Sequence, residues 1–114
     1  MGRYFILRDD EVIEEPDYQK WSEWFEGAFK DVELIAESRF GSSVVSTRFL
    51  ALSMTLAQDA PPMLFETTVK GGWLDNQGER FSTLEEATAG HRSWVRRVRE
   101  IEKENELPPP GAGW

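Results

Sequence analysis

The chain has 114 residues, of which 39% are hydrophobic and 12% aromatic, so it can form one domain with a modest core and is not disordered in composition. It contains no cysteine, which excludes a disulfide framework and a thiolate metal site and favours a reducing compartment. Its formal net charge of -8 disfavours nucleic acid as a partner.

The ends of the chain bear on its organisation and location. The N-terminal apolar run is too short for a signal peptide, and no stretch has the length of a membrane span. We therefore predict a cytoplasmic protein with no membrane partner. We predict a single domain over residues 1–106 and a mobile Pro/Gly-rich tail over residues 107–114.

The first third of the chain predicts a strand and a helix. Residues 3–8 are predicted to form a short strand, and the acid-rich residues 9–17 a loop. Asp17 is a suitable N-cap for a helix over residues 18–30, in which aromatic side chains recur at helical spacing.

The middle of the chain alternates with a period of two residues, which is typical of strands. Residues 32–40 and 44–52 are predicted to pair as a hairpin, because the Gly-Ser-Ser between them favours a turn. Residues 53–62 are predicted to be a loop, and residues 63–70 a third strand of this group.

The last third of the chain predicts a short extended piece near Phe81 and then a long helix. Thr83 and Glu86 have the spacing of a capping box, and the helix is predicted to run to about residue 104. One apolar stripe, with steps of three and four residues, runs along this helix and includes His91.

This element order predicts an α+β fold. We expect an antiparallel sheet of four or five strands with two helices packed on one face, in the order strand-helix-strand-strand-strand-helix. The other face of the sheet is left for solvent or a partner.

Four side chains are candidates for acid–base or nucleophilic chemistry: His91, Glu66, Thr47 and Thr67. His91 is the only histidine, and a core histidine bonded to a threonine or a backbone carbonyl is the structural alternative. Glu66 has a structural alternative as well, as the cross-strand partner of Arg48 or Lys70. With no cysteine, one histidine and no phosphate-binding glycine motif, the chain is predicted to bind no metal and no cofactor.

Charged residues supply the candidate binding surfaces. One set lies on the predicted polar face of the sheet and the other in the acidic segment near the N-terminus. The candidates are Glu33, Glu37, Arg39, Arg48, Glu66, Asp9, Asp10, Glu11, Glu14 and Glu15. The arginines of the last helix are predicted to be neutralised along the helix itself, for example Arg96 by Glu100.

Most of the chain carries a set of short motifs that are distinctive when taken together: Tyr4-Phe5-Ile6-Leu7-Arg8, Trp24-Phe25-Glu26, Ser46-Thr47, Phe49-Leu50, Pro61-Pro62, Leu64-Phe65-Glu66-Thr67, Val69, Gly71-Gly72, Phe81-Ser82-Thr83, Glu85-Glu86-Ala87 and Gly90-His91. In these motifs the chain resembles a family of small proteins encoded by bacteriophages and prophages. The resemblance implies a phage or prophage origin and a location in the host cytoplasm, but it implies no particular chemistry. Family members often carry an Asp-His pair after the Phe-Leu strand, where this chain has Leu52-Ser53-Met54-Thr55, which weakens an enzymatic interpretation.

Three hypotheses of function follow. The leading one is a non-enzymatic accessory protein that binds a host or phage protein, for example to inhibit a defence or nucleic-acid enzyme. The second is a small hydrolase or metal-dependent enzyme that uses His91 and Glu66. The third is a homodimer or ligand-binding module that uses the polar face of the sheet, on which Ser46 and Thr68 are expected beside the charged candidates.

Overall fold

The computed structural model describes residues 2–53 and 61–105. The strands in chain order are β1 Arg3–Arg8, β2 Glu11–Glu14, β3 Leu34–Phe40, β4 Ser43–Phe49, β5 Leu52–Ser53, β6 Phe65–Lys70 and β7 Gly78–Phe81. The helices are α1 Tyr18–Gly27, the single turn α2 Phe29–Val32, and α3 Leu84–Glu104. The predicted α+β class with antiparallel strands and two amphipathic helices is confirmed. The predicted tail and most of the predicted loop 53–62 lie outside the described residues.

The strands form two antiparallel sheets instead of the single predicted one. The small sheet has the order β2-β1-β5, and the large sheet has the order β3-β4-β6-β7. The chain passes from one sheet to the other at Ala51, whose φ of 64° ends the extended run that begins in β4. The predicted strand 44–52 is therefore divided between two sheets.

The segment predicted as an acidic loop contains β2 instead. Asp9 and Asp10 both adopt positive φ values, 52° and 64°, and this two-residue turn pairs Arg8 with Glu11. Positive φ at both central residues matches the twist of a hairpin, and aspartate tolerates this conformation better than most residues do. The acidic composition of this segment did not indicate a strand, because β2 forms only through its pairing with β1.

The helix α1 packs on the small sheet through its aromatic residues. Asp17 caps it as predicted, since its carboxylate accepts bonds from the N–H groups of Gln19 and Lys20 at 2.9 and 3.3 Å. The Trp21 ring is buried, and its Nε1–H donates to the Phe5 and Ala51 carbonyls at 3.0 and 3.2 Å. These two bonds tie α1 to β1 and to the crossing point between the sheets.

The helix α3 lies across one face of the large sheet. The Thr83–Glu86 capping box is present, and the helix ends at Glu104 as predicted. Its buried residues, Ala87, His91, Trp94 and Val98, are members of the predicted apolar stripe. They pack against side chains of β4 and β6 that alternate as predicted, so this face of the sheet is the core. None of the helices in the described residues lies on the opposite face, which we call the helix-free face.

The hydrophobic core has two parts. One joins the sheets and α1 around Phe49 and Phe65, and the other lies under the C-terminal half of α3 around Val69 and Trp94. Between them, at the middle of α3, the helix meets the sheet through polar side chains.

Candidate functional site

The polar row between helix and sheet is centred on His91. Its Nε2 lies 2.9 Å from Ser38 Oγ of β3, and its Nδ1 lies 2.8 Å from Thr47 Oγ1 of β4. Thr47 Oγ1 lies 2.5 Å from Thr67 Oγ1 of β6. The predicted structural role of His91, a core histidine bonded to a threonine, is confirmed, and Ser38 is an additional partner.

The strand register explains how these side chains meet. Thr47 and Thr67 are direct cross-strand partners, and Ser38 pairs with Val45 two residues from Thr47 on the same face. All three strands therefore direct hydroxyl groups at the face on which α3 places His91. Thr47, Thr67 and His91 are 0%, 0% and 6% exposed, and no buried side-chain polar atom of the described residues lacks a partner.

Burial governs the charge of the ring. Desolvation lowers the pKa of His91 below its ordinary value, so the imidazole is neutral at pH 7. A neutral imidazole donates from one nitrogen and accepts at the other. When Nδ1–H donates to Thr47 Oγ1, Nε2 accepts the hydroxyl proton of Ser38.

Glu66 does not join this row. It is on the opposite face of β6 from Thr67, and its carboxylate is bonded to Arg80 Nε of β7 at 3.0 Å. The enzyme hypothesis that pairs His91 with Glu66 therefore lacks its geometry. Arg48, which was expected as a partner of Glu66, is directly across the strand, but its guanidinium lies 3.7 Å from Glu33 instead.

The other candidate binding residues fall into two places. The register puts Glu37, Arg39, Arg48 and Glu66 on the helix-free face of the large sheet, where they form ion pairs with one another or with neighbours. The acidic candidates Asp9, Asp10, Glu11, Glu14 and Glu15 belong to the β1–β2 hairpin or directly follow it. Glu14 is bonded to Arg3 at 2.8 Å, which lowers the pKa of the Glu14 carboxyl.

A groove of about 490 Å³ runs between α3 and β3, and Ser38, Phe40 and His91 are among its lining residues. The helix side of the groove carries four basic residues, which we call the basic stripe: Arg92, Arg96, Arg99 and Lys103. Their spacing of four, three and four residues places them along one side of the helix.

The predicted ion pairing between arginines of the last helix and acids on the same helix, for example Arg96 with Glu100, is not found among the described residues. The ion pairs found in residues 2–53 and 61–105 involve Arg3, Arg39, Arg48 and Arg80, and none involves the basic stripe. Glu100 is the one acid that lines the groove within the described part of the chain. A protein of net charge -8 thus has a groove in which cations outnumber acids.

Ser38 is the groove residue that sequence reasoning did not select. The alternation of residues 32–40 already placed it on the drier face of its strand, between Ala36 and Phe40. A polar residue on the buried side of a strand requires a hydrogen-bond partner, and a histidine on the facing helix stripe is one. Together the two patterns make His91 one candidate partner for Ser38, but they do not specify that the strand of Ser38 lies beside His91.

The described residues contain no group of three or more His, Asp or Glu side chains placed to hold a metal ion. None of the helices in the described part of the chain has the length and hydrophobicity needed to cross a membrane. Comparison with protein-family models, curated proteins and solved structures found no match to this chain. The phage resemblance and the location in the cytoplasm therefore stay predictions.

Proposed function

We propose that this protein binds an extended, acidic segment of a partner protein in the groove between β3 and α3. The observation that carries the proposal is the basic stripe, which has no ion pair within the described residues and lies beside a strand at the edge of a sheet. The phage resemblance makes a host or phage protein the partner class, in agreement with the leading hypothesis from the sequence.

The edge strand supplies the first part of the recognition. In an antiparallel sheet, alternate residues of an edge strand point their N–H and C=O groups away from the neighbouring strand. β3 is such an edge, and the backbone bonds of the described residues show no other strand along it. An extended peptide can therefore pair with β3 and receive main-chain hydrogen bonds.

The basic stripe supplies the second part. From Arg92 to Lys103 it spans about 16 Å of helix, which matches roughly five residues of extended peptide. Arg99 also lies over the Phe40 ring, at 5.7 Å from its centroid, so this cation is held at the groove. Carboxylates on one side of an added strand would face the stripe and form charge-assisted hydrogen bonds with it.

The rest of the surface supplies selectivity. The chain carries 21 acids and 13 Lys and Arg residues, so the molecule as a whole repels polyanions. An acidic peptide that pairs with β3 gains main-chain bonds that a nucleic acid does not form. We therefore favour a polypeptide over a nucleic acid as the ligand.

Fluorescence anisotropy tests this proposal directly. The probes are a labelled heptapeptide with alternating Glu and Val, the same peptide with Gln for Glu, and a single-stranded oligonucleotide. We expect the acidic peptide alone to bind, with an affinity that falls as salt is raised. Equal or tighter binding of the oligonucleotide, or equal binding of the Gln peptide, would contradict the proposal.

Two adjacent arginines provide matched variants. Arg96→Glu reverses a charge inside the groove, whereas Arg97→Glu makes the same change at a residue that does not line it and lies over the Trp94 ring instead. In both variants the new glutamate lies within about one helical turn of Glu100, so the added repulsion along the helix is similar. We expect Arg96→Glu to weaken peptide binding about tenfold or more and Arg97→Glu to change it little.

Backbone pairing is tested with methylated peptides. N-methylation of alternate residues removes the N–H groups on one edge of an extended peptide. If the peptide pairs with β3, methylation in one phase abolishes binding and methylation in the other phase does not. Identical loss in both phases would show that the peptide is not held as an added strand.

The homodimer hypothesis has weaker support. The helix-free face of the large sheet carries charges that are already paired in the monomer, for example Arg80 with Glu66 and Arg39 with Glu37. A second copy seated on this face would have to desolvate those pairs. Light scattering at high protein concentration tests this hypothesis independently of peptide binding.

A further inference from the structure

Ser38 combines two properties that packing alone does not require. Its hydroxyl lies 2.9 Å from Nε2 of a buried histidine, and the same residue lines the groove of about 490 Å³. His91 is held from its other nitrogen by Thr47 at 2.8 Å, and Thr47 is held by Thr67. Thr47 therefore fixes the orientation of the imidazole ring through Nδ1, and Nε2 is directed at the Ser38 hydroxyl on the groove.

We propose that Ser38 is a nucleophile, activated by His91, that accepts the acyl group of an ester carrying a negative charge. An oriented base within hydrogen-bond reach of a hydroxyl is the arrangement that makes serine nucleophilic. Thr47 is a positioning residue, because its hydroxyl fixes the ring without touching the substrate. The proposal concerns small esters and does not depend on peptide binding in the groove.

The first half of the reaction forms an acyl-enzyme. Ser38 Oγ attacks the carbonyl carbon of the ester, and the hydroxyl proton passes to His91 Nε2. The carbonyl π electrons move to oxygen, and this oxyanion develops in a groove that Arg92 and Arg96 also line. The intermediate collapses, the carbon–oxygen bond to the alcohol breaks, and the alcohol leaves with the proton from Nε2.

The second half releases the acyl group. Water gives a proton to Nε2, and its oxygen attacks the acyl carbon on Ser38 to form a second tetrahedral intermediate. Collapse of this intermediate breaks the bond to Ser38 Oγ, which takes back the proton from Nε2. The net reaction is hydrolysis of one ester to an alcohol and a carboxylic acid, with both catalytic residues regenerated.

The charges of the groove set the substrate class. The basic stripe is not neutralised by an ion pair within the described residues, so an acyl chain that ends in a carboxylate is attracted to the groove. We expect the 4-nitrophenyl monoester of glutaric acid to react faster than 4-nitrophenyl acetate. Arg96→Gln should reduce this preference, measured as the ratio of kcat/KM for the two esters, because it removes one of the cations that attract the carboxylate.

The first test is covalent labelling of the full chain. A fluorophosphonate probe should add one label, located by peptide mass spectrometry at Ser38. Ser38→Ala should abolish labelling, whereas Ser42→Ala removes an exposed hydroxyl from the β3–β4 turn and should leave it unchanged. A label on any other residue, or equal labelling of Ser38→Ala, overturns the proposal.

The second test measures ester hydrolysis by variants of His91 and Thr47, the residues that activate Ser38 and position the base. His91→Asn should reduce kcat about a hundredfold, in the range of a general base. Thr47→Val should lower kcat with little change in KM, and Thr47→Ser should restore it, because it retains the hydroxyl. If His91→Asn is not folded by circular dichroism, the Thr47 pair decides, and equal rates in Thr47→Val and Thr47→Ser contradict the role of Thr47.

The two proposals for the groove fail separately. If Ser38→Ala loses labelling but still binds the acidic peptide, both proposals hold. If the wild-type protein binds the peptide but takes no label at Ser38, the nucleophile is refuted and the peptide site stands. If it takes the label but binds no acidic peptide, the peptide site is refuted and the nucleophile stands.

Discussion

Ser43 Oγ donates a 2.7 Å hydrogen bond to Glu102 Oε1, which connects the first residue of β4 to the last turns of α3. Ser43 is 1% exposed, so this bond holds a partly buried carboxylate against a buried hydroxyl at the turn end of the large sheet. The same oxygen accepts a longer bond, 3.4 Å, from the Trp73 backbone N–H. Glu102 thus holds the C-terminal part of the helix that forms one wall of the groove.

Removing this carboxylate should loosen the end of α3. Glu102→Ala leaves the buried Ser43 hydroxyl with only the Gly71 carbonyl, at 3.2 Å. We expect a loss of about 1–2 kcal/mol in the free energy of unfolding, measured by urea denaturation. Glu104→Ala, at an exposed position two residues on, is the control and should have little effect. Equal losses in the two variants would mean that the Ser43 bond contributes nothing.

The threonine pair behind His91 should stabilise the fold through its hydroxyl groups. Thr67→Val keeps the shape of the side chain but removes one partner of Thr47 in a fully buried position. We expect a loss of about 1–2 kcal/mol. Thr68→Val makes the same change on the helix-free face of β6 and should alter stability by less than about 0.5 kcal/mol. A neutral Thr67→Val would contradict the proposed importance of this bond.

Stability should depend on pH through His91. Burial lowers the pKa of His91 in the folded state, so the unfolded chain takes up a proton at a higher pH than the folded one does. The contribution of His91 is therefore fully present above its unfolded pKa of about 6.5 and is lost as the pH falls from there towards the folded value. Urea denaturation between pH 5 and 8 should show this decline.

The titration itself can be followed directly by NMR. Because the chain has a single histidine, its imidazole resonances are assigned without ambiguity. We expect a midpoint below 6.5, whereas a midpoint at or above the ordinary value would show that the ring is not desolvated as the structure places it.

Two helical glycines should respond oppositely to alanine. A Cβ at Gly90 of α3 would overlap with the Phe81 ring, whereas a Cβ at Gly27 of α1 meets nothing within 4 Å. We expect Gly90→Ala to destabilise the protein by about 1–3 kcal/mol, since the overlap outweighs the gain in helix propensity. Gly27→Ala should stabilise it by about 0.5–1 kcal/mol. Thermal denaturation of both variants checks the contrast, and a stabilising Gly90→Ala would contradict the packing.

The sequence predicts the long elements of this fold because each carries its own periodic pattern. Residues 65–70 alternate strictly, and α3 has both a capping box and an unbroken apolar stripe. β2 and β5 are four and two residues long and carry no such pattern. They exist because β1 lies between them and pairs with both, which is a tertiary relationship.

The candidate site was predictable to a similar extent. The pattern of α3 placed His91 on the buried stripe, and the alternation of β4 and β6 placed Thr47 and Thr67 on one face. The same alternation predicts that Glu66 points away from His91, because both of its neighbours in sequence, Phe65 and Thr67, face inwards. The meeting of Ser38 with His91 depends on which strand forms the edge of the sheet, and no local pattern specifies the strand order.

The pairing of β5 with β1 has a consequence for the order of folding. β1 is joined to its partner β2 by a two-residue turn. Arg3 and Ser53, by contrast, are separated in the sequence by α1 and the whole β3–β4 hairpin, so they can pair only after that stretch of chain exists. Within the large sheet, the β3–β4 and β6–β7 hairpins close short loops, which is fast relative to distant contacts, whereas β4 and β6 are joined through residues 50–64. During synthesis, the edge of β1 that pairs with β5 therefore stays unpaired until the chain has been made beyond residue 53.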